Sequence, residues 1–124
     1  MELTEFFKGY ADIEQSPIVI CDLSCRILYL NPYAENMYSA YGGKALLGKL
    51  LNSYMDEETK SKVDMVIEWF KESPENNRVF GFHDKSLHTD AYIIALRDES
   101  GKLIGFSSRH EYRIIWTDPP YQLD

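Results

Sequence analysis

The sequence predicts an α+β domain in which helices pack on one face of an antiparallel sheet. Three observations carry this. Strand-like segments fall in two groups, two early and three late, with helical segments between them, whereas a parallel sheet would alternate strand and helix one by one. Within each group the strands are separated only by turn residues. The two longest helical segments each carry a single apolar stripe, which suits packing on one side rather than burial all round.

Residues 3–13 place Leu3, Phe6, Phe7, Tyr10 and Ile13 at helical spacing, with Glu5, Lys8 and Asp12 elsewhere. A stripe so aromatic on so short a helix needs cover, either from the body of the domain or from another chain. Pro17 then opens a strand over residues 18–21. Asp22-Leu23-Ser24-Cys25 reads as a turn, because an Asp carboxylate accepts hydrogen bonds from the amides that follow it. Residues 26–30 form the second strand of this hairpin. At Asn31-Pro32 an N-cap meets a proline whose missing amide costs nothing at the first helical position. The helix that follows aligns Ala34, Met37, Tyr38 and Tyr41 and stops at Gly42-Gly43. A short helical stretch at Ala45-Leu46-Leu47 precedes Gly48.

The longest helix spans residues 56–72, with Asp56, Glu57 and Glu58 at its positive N-terminal end. Val63, Val66, Ile67 and Phe70 form its core stripe, widened by Met65 and Trp69. Ser73-Pro74-Glu75-Asn76-Asn77 ends it. Strands over residues 78–83, 87–97 and 102–115 follow, joined at Asp84-Lys85-Ser86 and at Asp98-Glu99-Ser100-Gly101, where Gly101 supplies a left-handed residue. Asp118-Pro119-Pro120 breaks any further strand. The organisation is thus an N-terminal amphipathic helix (residues 1–15), one domain (16–115) and a short tail (116–124).

With 124 residues, 44% of them hydrophobic, the chain can build one core and shows no case for two. Its net charge of −7 argues against nucleic acid and against an anionic membrane surface as partners. No apolar run approaches the ~20 residues of a membrane span. Acid stands where a signal peptide would carry base, at Glu2 and Glu5, so the expected location is the cytoplasm. In that compartment Cys21 and Cys25 are expected as reduced thiols. A redox pair is the alternative, since the hairpin could bring them together.

The stretch from Ser16 to Asp22, followed by Arg26-Ile27-Leu28-Tyr29-Leu30-Asn31-Pro32, resembles the opening hairpin of a PAS domain and its Asn-Pro entry to the first core helix. The stretch from Leu96 to Gly105 is similar to the family's final hairpin, and Gly48-Lys49 to the close of its helical connector. The resemblance covers roughly residues 16–113. It implies a five-stranded antiparallel sheet with helices over its concave face, and a sensory or signalling role. The family usually has Gly where this chain has Cys25, so the first turn either differs or holds Cys25 left-handed. Where many members carry an Asp-Ile-Thr triplet coupled to an effector, this chain reads Arg109-His110-Glu111-Tyr112-Arg113. No effector follows, so a stand-alone module is expected.

PAS-like domains imply a cavity that in some members holds haem, flavin, a chromophore or a metabolite. Haem needs an axial ligand, generally a His on the long helix, and residues 56–72 contain none. His83, His88 and His110 fall on strands or their ends, without the partners of a zinc site. Covalent flavin chemistry needs a cysteine in the helical connector, which here reads Leu51-Asn52-Ser53-Tyr54-Met55. No nucleophile–base arrangement, phosphate-binding glycine loop or HExxH is present, so no enzyme and no metal are expected.

What remains is an apolar pocket. Tyr33, Met37, Tyr41, Met65, Trp69 and Phe70 on the helices face Phe80, Phe82, Ile93 and Phe106 on the sheet. These side chains either fill a solid core or surround an unidentified flat, greasy small molecule. Leu3, Phe6, Phe7 and Tyr10 are the candidate dimer contacts. The expected function is a sensory module that binds a small ligand, a signalling protein, or both, and pairs with its own copy. The alternative is a ligand-free dimerisation module.

Overall fold

Residues 2–113 are described in a computed structural model of the chain. The elements in order are α1 (Leu3–Asp12), β1 (Val19–Asp22), β2 (Ile27–Leu30), α2 (Pro32–Met37), α3 (Glu57–Glu72), β3 (Arg78–Asp84), β4 (Thr89–Arg97) and β5 (Leu103–Tyr112), with three single 3₁₀ turns at Ser39–Tyr41, Gly43–Leu46 and Leu51–Tyr54 between α2 and α3.

One local device builds all three hairpins. Asp22 Oδ1 accepts from Ser24 N, Ser24 Oγ and Arg26 N at 2.7–3.0 Å. Asp98 repeats this with Ser100 and Lys102, and Asp84 with Ser86 and Leu87. The donated hydrogen bonds, the serine hydroxyl's first, hold all three carboxyls below their ordinary range. Each turn also contains a left-handed residue: Cys25 at φ 68°, His88 at φ 54° and Gly101 at φ 88°. The first turn therefore keeps the form expected of it and holds Cys25 left-handed. His88 is exposed, so its side chain supports nothing that would offset the strain. His88→Gly is expected to raise stability by about 0.5–1 kcal/mol, measured by urea unfolding.

The five strands form one antiparallel sheet in the order β2-β1-β5-β4-β3, so the first hairpin docks against the last strand. Val19 pairs with Ser108 and Cys21 with Phe106, while Ala95 and Ile93 pair with Phe106 and Ser108 from the other side. This register puts Val19, Cys21, Ile93, Ala95, Phe106, Ser108 and His110 on the inner face, under the helices. The close approach of β1 to β5 requires Gly105, where a Cβ would collide with the Cys21 carbonyl oxygen. Val63, Ile67 and Phe70 of α3 complete the core with Ile27, Leu30, Ala34 and Leu46.

α3 begins where expected, on Asp56, whose Oδ1 accepts from Thr59 N at 2.7 Å. α2 is shorter than the single stripe from Ala34 to Tyr41 implied. After Met37 the chain tightens into 3₁₀ turns around Gly42, at φ 116°, so Ala34 is buried while Tyr41 is exposed. The last strand ends at Tyr112, one residue before Arg113; residues 114–115 of its expected span, the Asp118-Pro119-Pro120 break and the tail lie outside the described residues.

Candidate functional site

Between α3 and the inner faces of β3, β4 and β5 lies an open groove of about 790 Å³. Its walls are mainly apolar: Met37, Val63, Met65, Val66, Val79, Phe82, Ala91 and Ile93. Beside it, under the 3₁₀ turns, a second cavity of about 320 Å³ is walled by Val19, Ile27, Leu30, Tyr41, Leu46, Leu51, Tyr54 and Met55. Tyr38 and Ser108 line both, and so form the waist between them.

Of the ten residues expected to meet in one pocket, Met37, Met65, Phe80, Phe82 and Ile93 border the groove and Tyr41 borders the smaller cavity. The other four do not join them. Phe70 and Phe106 are buried in the core itself, because they sit at the centre of the α3 stripe and on the central strand β5. Trp69, one residue round the helix from Phe70, is turned partly to solvent, and Tyr33 lines neither space. Phe80 and Phe82 also part company. A bulge between them at Gly81 pairs Phe80 with Tyr92 and Phe82 with Ala91, neighbours that point to opposite faces. Phe82 meets His110 edge-on inside, at 6.3 Å, whereas Phe80 meets Tyr92 on the outer face and touches only the groove's lip.

The polar groups of the groove were not among the expected site residues. His110 is half-buried; its Nδ1 lies 3.0 Å from Thr89 Oγ1. Burial lowers its pKa below the ordinary histidine value, against the pull of Asp84, so the ring is neutral at pH 7. Burial likewise raises the Tyr38 phenol, which stays protonated. Strand alternation from Phe106 would have found Ser108 and His110 on the inner face. Tyr38 was legible as a helix-face residue, but its place at the waist depends on the 3₁₀ turns.

α3 offers no His, Cys or Tyr, and Lys62, the one cation on the groove among the described residues, is at 3.2 Å from Glu58. Among the described residues no cluster of His, Cys, Asp or Glu is arranged to hold a metal ion, and no helix is long and apolar enough to cross a membrane. Cys21 and Cys25 are both buried free thiols, and burial pushes the Cys21 thiol up to about 12, which suppresses the reactive thiolate.

On the far side, α1 leaves its stripe uncovered. Leu3, Phe6, Phe7, Tyr10 and Ile13 are each between 60% and 78% exposed. Among the described residues, the hydrogen bonds that anchor the helix lie at its C-terminal end, where Asp12 Oδ1 accepts from the Tyr29 hydroxyl at 2.5 Å and Asn31 Nδ2 donates to Ala11 O at 3.2 Å. Tyr10 borders a cleft with Ile18, Ile94 and Arg109 of the outer sheet face. Further along that face Arg78 stacks 3.8 Å above the Tyr92 ring, and a charge network links Arg78, Glu111, Arg113, Asp90 and His83.

A family model described as PAS domain matches residues 15–118. The fold is similar to that of the C-terminal domain of a Streptococcus mutans protein (TM-score 0.65, 17% identity, covering 88% of this chain and 84% of that one). It is equally similar to a PAS domain from Colwellia psychrerythraea (TM-score 0.64, 18% identity, covering 90% of this chain and 97% of that one). A third likeness is to the Aer2 receptor of Vibrio cholerae, described as a dual PAS-heme oxygen sensor (TM-score 0.54, 18% identity, covering 77% of this chain and 91% of that one). No curated protein matches the sequence.

Proposed function

The chain belongs to the PAS domain family, and we propose that it works as a cytoplasmic sensory module that takes a small molecule into the groove under α3 and pairs two copies through α1. The observation that carries the first half is the groove itself. PAS domains are sensory modules, and here an apolar space of about 790 Å³ stays open beneath the longest helix instead of closing into solid core. On this reading the protein binds and signals without turning over a substrate. What supports a ligand other than haem or covalent flavin is that α3 carries no histidine and the connector no cysteine.

Native mass spectrometry of gently purified protein, with an absorption spectrum and a thermal-shift screen of metabolites, tests the ligand half. A bound small molecule, or a stabilising one, is the expected result. A colourless, empty protein that no compound stabilises would count against it.

The pairing half rests on four large side chains of α1 left in water, a surface that a two-fold partner would cover. A bound ligand would alter how α1 and the outer sheet face meet that partner or a signalling protein. Light scattering is expected to find a homodimer at high micromolar concentration and a monomer for Phe6→Asp with Phe7→Asp. A monomeric wild type, indistinguishable from the double variant, overturns the pairing.

A further inference from the structure

Which molecule the groove takes can be narrowed by the charges around it. Tyr38, Ser108 and His110 are among the polar residues that line it. Among the described residues no hydrogen bond engages Tyr38 Oη, Ser108 Oγ or His110 Nε2. All three sit on walls formed mainly by aliphatic, methionine and aromatic side chains, so they offer the few oriented contacts that an apolar site uses. All three are also neutral.

The charged groups at the groove are already committed. Lys62 lies on the exposed side of α3 at 3.2 Å from Glu58. Asp84 Oδ1 accepts from Ser86 N, Ser86 Oγ and Leu87 N, and its carboxyl is held ionised by those bonds. An anionic guest would therefore give up its water for a wall whose described residues include no free cation and one fixed carboxylate, in a protein of net charge −7. A cationic guest would give up its water for hydroxyls and apolar carbon, and the one carboxylate on the wall, Asp84, already gives its Oδ1 to three donors of its own turn.

We propose that the ligand is an uncharged, largely apolar molecule with a single hydroxyl, carbonyl or amide group, seated so that this group meets Tyr38 and Ser108 at the waist between the two cavities. This rests on the groove reading above. The shared waist adds a length requirement: a guest whose polar group lies there extends one apolar arm toward Met37 and Met65, and another toward Met55.

Those methionines are the reporters. Protein labelled at its methionine methyls is titrated with diphenylmethanol, diphenylacetate and diphenylmethylamine at pH 7.5, each with its polar group between two apolar arms, following Met37, Met65 and Met55 by NMR. The alcohol should shift all three methyls and bind at least ~10-fold more tightly than either charged isostere, since an unpaired charge loses more on burial than a hydroxyl that finds a partner. Tyr38→Phe and Ser108→Ala should each weaken the alcohol by about 3–10-fold, the worth of one hydrogen bond. The carboxylate or amine binding as tightly as the alcohol at the same methyls would overturn the neutral-ligand inference and leave the groove reading standing. So would an unchanged affinity for the alcohol in both variants. If none of the three probes moves any of these methyls, both readings fall.

Discussion

Replacing Asn31 with Asp should cost about 3 kcal/mol or more at pH 7, although the side chains differ by one atom. Asn31 is fully buried, and both halves of its amide are used. Oδ1 accepts from Ile18 N at 3.0 Å and from Ala34 N at 2.9 Å, which starts α2 and fixes the entry to β1. Nδ2 points at three carbonyl oxygens, Ser16 at 2.9 Å, Ala11 at 3.2 Å and Glu14 at 3.4 Å. A carboxylate keeps the first half and turns the second into repulsion. The folded variant then favours the protonated form of the introduced carboxyl, so the pKa of that group is raised above its unfolded value. A group shifted in that direction stabilises below its unfolded pKa and loses that contribution as pH rises. The deficit of Asn31→Asp relative to wild type should therefore shrink between pH 7 and pH 4, followed by urea unfolding of both proteins at each pH. Asn31→Ala should be similarly unstable at pH 7 but show no such recovery. An Asp variant as stable as wild type at pH 7 would mean that the three carbonyls do not need their donor.

Arg97→Ala should lower stability by about 2–3 kcal/mol, and Arg97→Lys should regain little of it. α3 ends at Ser73 in extended geometry, without the left-handed glycine that commonly closes a helix. Arg97 on β4 reaches across instead. One of its terminal nitrogens donates to Phe70 O at 2.6 Å and to Ser73 O and Asn76 O at 3.1 Å, the other donates to Gly101 O at 3.2 Å, and Nε donates to Asn77 Oδ1 at 2.7 Å. A single lysine nitrogen cannot span that fan of acceptors. Because α3 roofs the groove, the same change should speed amide exchange in its last turn more than in β1. Uniform exchange across both would indicate that Arg97 contributes to global stability alone.

Elements set by neighbours in sequence could be read directly. The Asp56 cap, the stripe from Val63 to Phe70 and the Asp-x-Ser turns all follow from residues within a few positions of one another. Asn31 was half legible. Its role as a cap is local, but its hold on Ala11, Glu14 and Ser16 depends on the hairpin bringing Asn31 back to the end of α1. Arg97 was not legible, since four of its five acceptors are backbone carbonyls, three of them more than 20 residues away, and backbone carries no sequence signature. The pocket was read too simply for a similar reason. Strict alternation puts Phe80 and Phe82 side by side, and only the bulge at Gly81 separates them. Proximity in sequence likewise grouped Trp69 with Phe70, although one step along a helix turns a side chain through about 100°.

The chain enters and leaves the sheet at one corner. Asn31 gathers the carbonyls of Ala11, Glu14 and Ser16, and the Tyr112 hydroxyl at the end of β5 donates to Gln15 O. Tyr112 lies on the same strand as Ser108 and His110, so the incoming segment and the groove-lining strand are bolted together. A domain with its two ends joined in this way can be spliced into a surface loop of another protein without prising that loop apart. A twist of β5 about this bolt would swing α1 as a rigid arm, making the corner a fulcrum.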